Sequence, residues 1–182
     1  MVEHTAGGRV VARSNRVTPT MDTNPTYERL LGASIRFVSY RPRSEKEIRN
    51  FLQKKLTRWK IFGGTVVQKV ADRLAELGYL DDAKFAAWWV EQRQTFKPKG
   101  MRLITQELKA KGVDLRQFSS DRGKIDMIDE IEAAKRAVQK KLTLWEKLPT
   151  LDRKKKLSDF LSRRGFTYDT VERVIDSVAK KE

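Results

Sequence analysis

Apolar positions along this chain recur every three or four residues, not every second one, which is the period of a half-buried helix. Tyr27, Leu30, Leu31, Ile35 and Val38 predict a first helix over 26–40, and Arg41-Pro42 breaks it, because proline disfavours helical geometry in the residue before it. Ser44, with Glu47 three residues on, is a capping box and opens a second helix through Trp59. Phe62-Gly63-Gly64 reads as a loop. Val66, Val67, Val70, Leu74 and Leu77 then make a third helix over 65–77, stopped by Gly78. Asp81 or Asp82 caps a fourth, through Thr95, with Phe85, Trp88 and Trp89 on one face, and Lys97-Pro98-Lys99-Gly100 ends it. A helix over 101–111 stops at Gly112; beyond it Val113 to Phe118 offers one turn or more, and Ser119 to Gly123 a loop. Helical spacing resumes by Ile125 and runs to Glu146 through Ile128, Ile131, Ala134, Val138 and Leu142. The last two helices are expected over 152–164, closed by Gly165, and 168–179, where Phe166 and Val171 flank a Thr167 cap. No run alternates long enough for a strand.

One phrase within this pattern occurs three times. It reads Ile48-x-x-Phe51-Leu52-x-x-Lys55, Ile104-x-x-Glu107-Leu108-x-x-Lys111-Gly112 and Leu157-x-x-Phe160-Leu161-x-x-Arg164-Gly165, at spacings of 56 and 53 residues. Recurrence at a near-fixed period marks an array of copied helical units, which offers an extended surface to long partners instead of a deep cleft. The expected fold is therefore all-α: three tandem three-helix repeats, 27–79, 80–123 and 124–182, in an elongated, curved array. Residues 1–26 are rich in Thr, Gly, Asn, Arg and Pro without periodicity and read as a flexible N-terminal tail, within which Met21 offers an alternative start.

Composition narrows the chemistry. Net charge is +15, with 35% charged and 39% hydrophobic residues, a balance that attracts polyanions, nucleic acid first among them. The absence of cysteine excludes disulfides, thiol nucleophiles and thiolate metal sites. The sole histidine, His4, lies in the tail, so the usual zinc sites and Ser-His-Asp triads lack their residues. No cofactor or metal is expected, and no enzymatic activity. The longest apolar run, Phe85 to Val90, falls far short of the roughly 20 residues that span a bilayer. Val10-Val11-Ala12 is too short for a secretory signal, and the expected location is the cytoplasm.

The cations gather around the repeated phrase. Eight lie between Arg41 and Lys60, six between Arg93 and Lys111, and seven between Lys147 and Arg164. Candidate binding residues are Arg41, Arg43, Arg49, Lys54 and Lys55 in the first unit. They are Lys97, Lys99, Arg102, Lys109 and Lys111 in the second, and Lys154, Lys155, Lys156, Arg163 and Arg164 in the third. A solvated surface accounts for part of these; clustering by unit favours a role in binding. Trp88 and Trp89 could stack bases, but their helical spacing with Phe85 favours core. Trp59 and Phe62, beside a basic helix, are candidates for an exposed contact, with packing the favoured reading for both. Carboxylate pairs such as Asp81-Asp82 read as helix caps.

Four stretches together resemble the RecX family of recombination regulators over residues 27–180. They are Arg41-Pro-Arg-Ser-Glu-Lys-Glu-Ile48, Leu74-Ala-Glu-Leu-Gly-Tyr-Leu-Asp-Asp-Ala-Lys-Phe-Ala86, Gly100-x-x-x-Ile104-x-x-Glu107-Leu108-x-x-Lys111-Gly112 and Phe160-Leu-Ser-Arg-Arg-Gly-Phe-Thr-Tyr-Asp169. The resemblance implies three tandem three-helix repeats, binding to the RecA–DNA filament, and negative modulation of RecA's recombinase and coprotease activities by a non-enzyme. Single- and double-stranded DNA are the accompanying partners, no membrane is involved, and the protein is expected to be a monomer. Two departures stand out: extra residues from Trp59 to Thr65 in the first unit, and a loose, polar end of the second. A basic DNA-binding module acting without RecA is the alternative.

Overall fold

The computed structural model describes residues 24–117 and 129–179, which form helices and connections without a strand. The expected tail lies outside the described residues except for Asn24, Pro25 and Thr26, and so do Met21, the loop Ser119–Gly123, and Phe118, Ile125 and Ile128. Asn24 accepts a hydrogen bond from the Thr26 N–H at 2.9 Å, and Pro25 takes the first helical position, where its missing N–H costs nothing. Helix α1 thus spans Pro25–Ser39, opening inside the stretch read as tail.

The remaining helices are α2 (Glu45–Trp59), α3 (Thr65–Glu76), α4 (Asp82–Phe96), α5 (Met101–Ala110), α6 (Glu130–Trp145), α7 (Thr150–Arg163) and α8 (Tyr168–Ala179). A 3-10 turn, Leu115–Gln117, follows α5. Helix α6 starts at Glu130 because Asp129 caps it, accepting from the N–H groups of Ile131 and Glu132. The three glycine stops share one geometry. Gly78, Gly112 and Gly165 sit at φ of 75°, 86° and 83°. In each, the glycine N–H and the next residue's N–H reach back to carbonyls of the last turn, as in Tyr79 to Leu74, Val113 to Leu108 and Phe166 to Leu161. Helix α2 closes in the same way on Lys60, at φ 55°, without a glycine to relieve the strain.

Among the described residues the interior is three cores, not one. Leu30, Ile48, Leu52, Leu56, Val70 and Leu74 fill the first, between α1, α2 and α3. Phe85, Ala86, Val90, Ile104, Leu108 and Val113 fill the second, with Trp88 and Trp89 packed against it. Ala133, Ala134, Val138, Leu157, Leu161, Phe166 and Val174 fill the third. The aliphatic pairs of the repeated phrase, Ile48/Leu52, Ile104/Leu108 and Leu157/Leu161, are each essentially inaccessible. The most extensive helix–helix packing falls within each set of helices. This is the array expected from the period. Trp59 packs on the first core as expected, whereas Phe62 is 98% exposed and packing fails for it. It lies beyond the last apolar turn of α2, in the Gly63-Gly64 loop, where no helix covers it.

Candidate functional site

Two seams join the units, and they are built alike. At the first, the N-terminus of α2 abuts the C-terminus of α5. The Ser44 hydroxyl donates to the Lys111 carbonyl at 2.8 Å, and the Lys46 ammonium to the Ala110 carbonyl at 3.0 Å. From the start of α4, Asp82 accepts from the Glu45 N–H at 2.9 Å. At the second seam, the N-terminus of α5 abuts the C-terminus of α7. The Gly100 N–H donates to the Arg164 carbonyl at 2.9 Å, and Glu130, from the start of α6, accepts from the Met101 N–H at 2.6 Å. In both, an acid of one unit caps the middle helix of the preceding unit, and donors meet the carbonyls left open at a helix end. Contact is close enough to require glycine. A Cβ on Gly112 would lie 2.8 Å from Lys46 Cβ, and one on Gly100 would strike the Gly165 carbonyl.

Lone carboxylates organise the cations nearby. Glu47, 18% exposed, accepts from Arg41 at 3.1 Å and from Lys111, across the first seam, at 2.6 Å. It occupies the second place of the predicted capping box but is turned to the seam; within the box only Ser44 caps, accepting from the Glu47 N–H at 3.2 Å. Glu107, 21% exposed, accepts from Arg93 at 2.7 Å, from Lys99, and from the Trp89 indole N–H at 3.0 Å. Arg93 and Lys111 both lie 4.3 Å from the Trp89 ring. For each carboxyl, burial pushes the pKa up, but the hydrogen bonds from its cations outweigh that and hold it below the ordinary glutamate range. Asp82 goes the other way: burial raises its carboxyl despite the Glu45 N–H.

The expected binding residues therefore divide. Arg41, Lys99 and Lys111 are held by Glu47 and Glu107. Arg43 donates to the Phe37 carbonyl and stacks on that ring at 3.8 Å. Arg49 is bound by Glu45 and Gln68, and Lys55 lies over Phe51. Arg102 and Arg164 reach across the second seam to the carbonyls of Ser162 and Pro98. Seven remain exposed: Lys54, Lys97, Lys109, Lys154, Lys155, Lys156 and Arg163. Among the described residues none of these seven is paired with a carboxylate. Of these seven, one lies in the first unit, two in the second and four in the third. Arg153, counted with the third cluster, is buried at 7% exposure. Sequence reasoning missed the seam acids Asp82 and Glu130, whose only signal was their place at the start of a helix. It also missed Arg29 and Arg36 of α1, which stand seven residues apart on one stripe. No helix of the described residues is long and apolar enough to cross a membrane.

Comparisons with known proteins agree on one family. Residues 81–115 match the second three-helix domain of RecX, and residues 128–175 the third. Regulatory protein RecX of Mycobacterium sp. (strain JLS) is 36% identical over 155 residues, covering 82% of this chain and 81% of that protein. Regulatory protein RecX of Bacillus subtilis (strain 168) is 32% identical over 142 residues, covering 78% of this chain but 52% of its own length, so the chain spans about half of that relative. The crystal structure of RecX from Lactobacillus salivarius superposes with a TM-score of 0.69 at 20% identity, covering 85% of this chain and 97% of that one. A second, the crystal structure of a regulatory protein RecX, gives 0.67 at 22% identity over 83% and 73%. At those identities the two structures speak to the fold.

Proposed function

The chain belongs to the RecX family, and from that premise we propose that it binds the RecA–DNA nucleoprotein filament and restrains RecA's recombinase and coprotease activities. The observation that carries this reading is the division of the cations. The acids Glu47 and Glu107 neutralise the ones beside them, while every unit keeps unpaired cations on its surface. A string of basic units joined by short polar seams suits a long, phosphate-bearing partner. Several weak contacts on successive filament subunits add through effective concentration. Holding one arrangement of subunits more tightly than another biases the filament between active and dissociating states.

The reading includes a division into repeats at 27–79, 80–123 and 124–182, a monomeric and cytoplasmic protein without enzymatic activity, and contacts to both single- and double-stranded DNA. Its biological setting is DNA repair, recombination and the SOS response. The test is a titration into RecA filaments on single-stranded DNA, with ATP hydrolysis and strand exchange followed beside DNA binding without RecA. Falling hydrolysis at protein concentrations that leave bare DNA mostly unbound is the expected result. If RecA is untouched at saturating DNA occupancy, the regulator reading fails and a plain basic DNA-binding module remains.

A further inference from the structure

Arg29 and Arg36 from α1 meet Lys55, Arg58 and Trp59 from α2 around a cleft of about 520 Å³ floored by Ala33. Four cations face one space, and among the described residues no carboxylate lines it. Among the described residues none of the four is paired with an acid. The acids of α2, Glu45 and Glu47, lie at its opposite end. The negative C-terminal end of α2 supplies only about half a charge, far less than four cations. Clustered like charge opposes itself and draws an anion.

The donors are also prepared for one. The Arg29 guanidinium lies 3.9 Å from the centre of the Trp59 ring. Stacking uses the face of the guanidinium and leaves its N–H edge available, and that planar edge matches the oxygens of a phosphate. Trp59 is itself fixed by packing on the first core. A liquid water occupies about 30 Å³, so the cleft exceeds one phosphate and admits a short run of backbone. The unpaired Lys54 next to Lys55 extends the positive surface along α2.

We infer that this cleft, formed by Arg29, Arg36, Lys55, Arg58 and Trp59, is a binding site for the phosphodiester backbone of single-stranded DNA. It deepens the proposed function, on which it rests, by giving the first unit a built phosphate site that joins Lys55 of the repeated phrase to α1 and the end of α2. The test uses the full chain in two arms. In the first, the triple variant Arg29→Gln, Arg36→Gln, Arg58→Gln is compared with a charge-matched control, Arg73→Gln, Lys84→Gln, Lys135→Gln. Affinity for a labelled oligothymidylate is measured against salt, with circular dichroism confirming that both variants fold.

Neutralising two fewer phosphates lowers the salt slope by about 1.4, at about 0.7 per single-strand phosphate. The cleft variant should therefore bind roughly tenfold more weakly than wild type at about 0.2 M salt, and more weakly still at lower salt, with the control losing much less. Equal losses in the two variants would mean net charge alone and overturn the site. The second arm needs no variant. In nitrogen-15 spectra of the wild type, the Trp59 indole and Arg29 Nε–H signals should shift on adding oligothymidylate. A shift with pyrophosphate but not with the oligonucleotide would make the cleft a site for a free phosphate compound and overturn the nucleic-acid assignment; no shift with either overturns the site. The two readings fail separately. RecA inhibition with silent cleft signals sinks the cleft alone, and cleft shifts without RecA inhibition sink the regulator alone.

Discussion

Glu47 shows how a single side chain can hold two units together. Its carboxyl carries the charge that Arg41 and Lys111 require, one from its own unit and one from across the seam. Burial works against ionisation there, yet the two cations win and its folded pKa sits below the ordinary value near 4.3. Such a group contributes stability above its unfolded pKa and loses it as pH falls through the folded one. Glu47→Gln should therefore lower stability by about 1.5–3 kcal/mol at pH 7, the scale for hydrogen bonds to charged groups. The gap in melting temperature from wild type should narrow as the pH falls below that ordinary value, and a gap that does not narrow on acidification would refute the ionic account. Trp89 tests the neighbouring cluster. Its ring packs on the second core while its N–H serves Glu107. Trp89→Ala should cost about 3–5 kcal/mol in urea unfolding, whereas Trp89→Phe, which keeps a ring and gives up one hydrogen bond, should cost about 1 kcal/mol or a little more. Weakened DNA affinity with intact stability would instead make Trp89 a base-stacking residue.

Helix ends, more than helix faces, decide how the elements assemble. Gly112 and Gly165 were legible as stops because a left-handed residue satisfies the last carbonyls and glycine adopts it without strain. In the fold both also form contact points, since a neighbouring helix begins against them. Gly100 is the sharper case, because its φ of −72° is open to any residue. Alanine there would ordinarily stabilise by about 0.4–1 kcal/mol through the unfolded chain. Here its Cβ meets the Gly165 backbone, which cannot rotate away as a side chain would. Gly100→Ala should therefore destabilise by about 1–3 kcal/mol, the cost of overpacking, and loosen the second seam. Hydrogen exchange at Gly100 and Met101 reports this directly; unchanged protection would show that the seam has room to give.

At the scale of the whole molecule, separate cores and polar seams make shape a consequence of sequence order. A compact chain of this length has a radius of gyration of about 16 Å; small-angle scattering should give a clearly larger value, and a value at the compact limit would rule out an end-to-end array. The free cations make a second prediction. Lys154, Lys155 and Lys156 are consecutive, exposed and unpaired on α7. Reversing all three to Glu should weaken bare-DNA binding and flatten its salt dependence by about 0.7–0.9 for each phosphate no longer neutralised. Reversing Arg41 should mainly destabilise the fold, because its charge is committed to Glu47. A salt slope that falls as much for Arg41 as for one of the three lysines would contradict the division between seam and surface.

The sequence alone determined the helices, the Ser44 cap, the glycine stops and the three-fold repetition. These rest on local physics: an apolar residue every third or fourth position, a side chain accepting from its own first turn, and a glycine past the last. It determined too that the interior would be aliphatic where the phrase recurs, because burial of Ile48, Leu52, Ile104, Leu108, Leu157 and Leu161 is what the periodicity encodes. It left open which of Asp81 and Asp82 caps α4. Tertiary structure gave both a cap, Asp81 on its own helix and Asp82 on α2 of the preceding unit. The same limit governed the cations. Charge is visible in a sequence, but pairing is a distance, and Glu47 meets a lysine 64 positions away. Fifteen candidates that look alike along the chain become tied side chains or free surface only when the fold brings their partners to them. Arg29 and Arg36 pass unnoticed on α1 until α2 brings Lys55, Arg58 and Trp59 against them. Periodicity is local and survives in one dimension, whereas the partner of a charge is fixed by which surfaces the fold brings together.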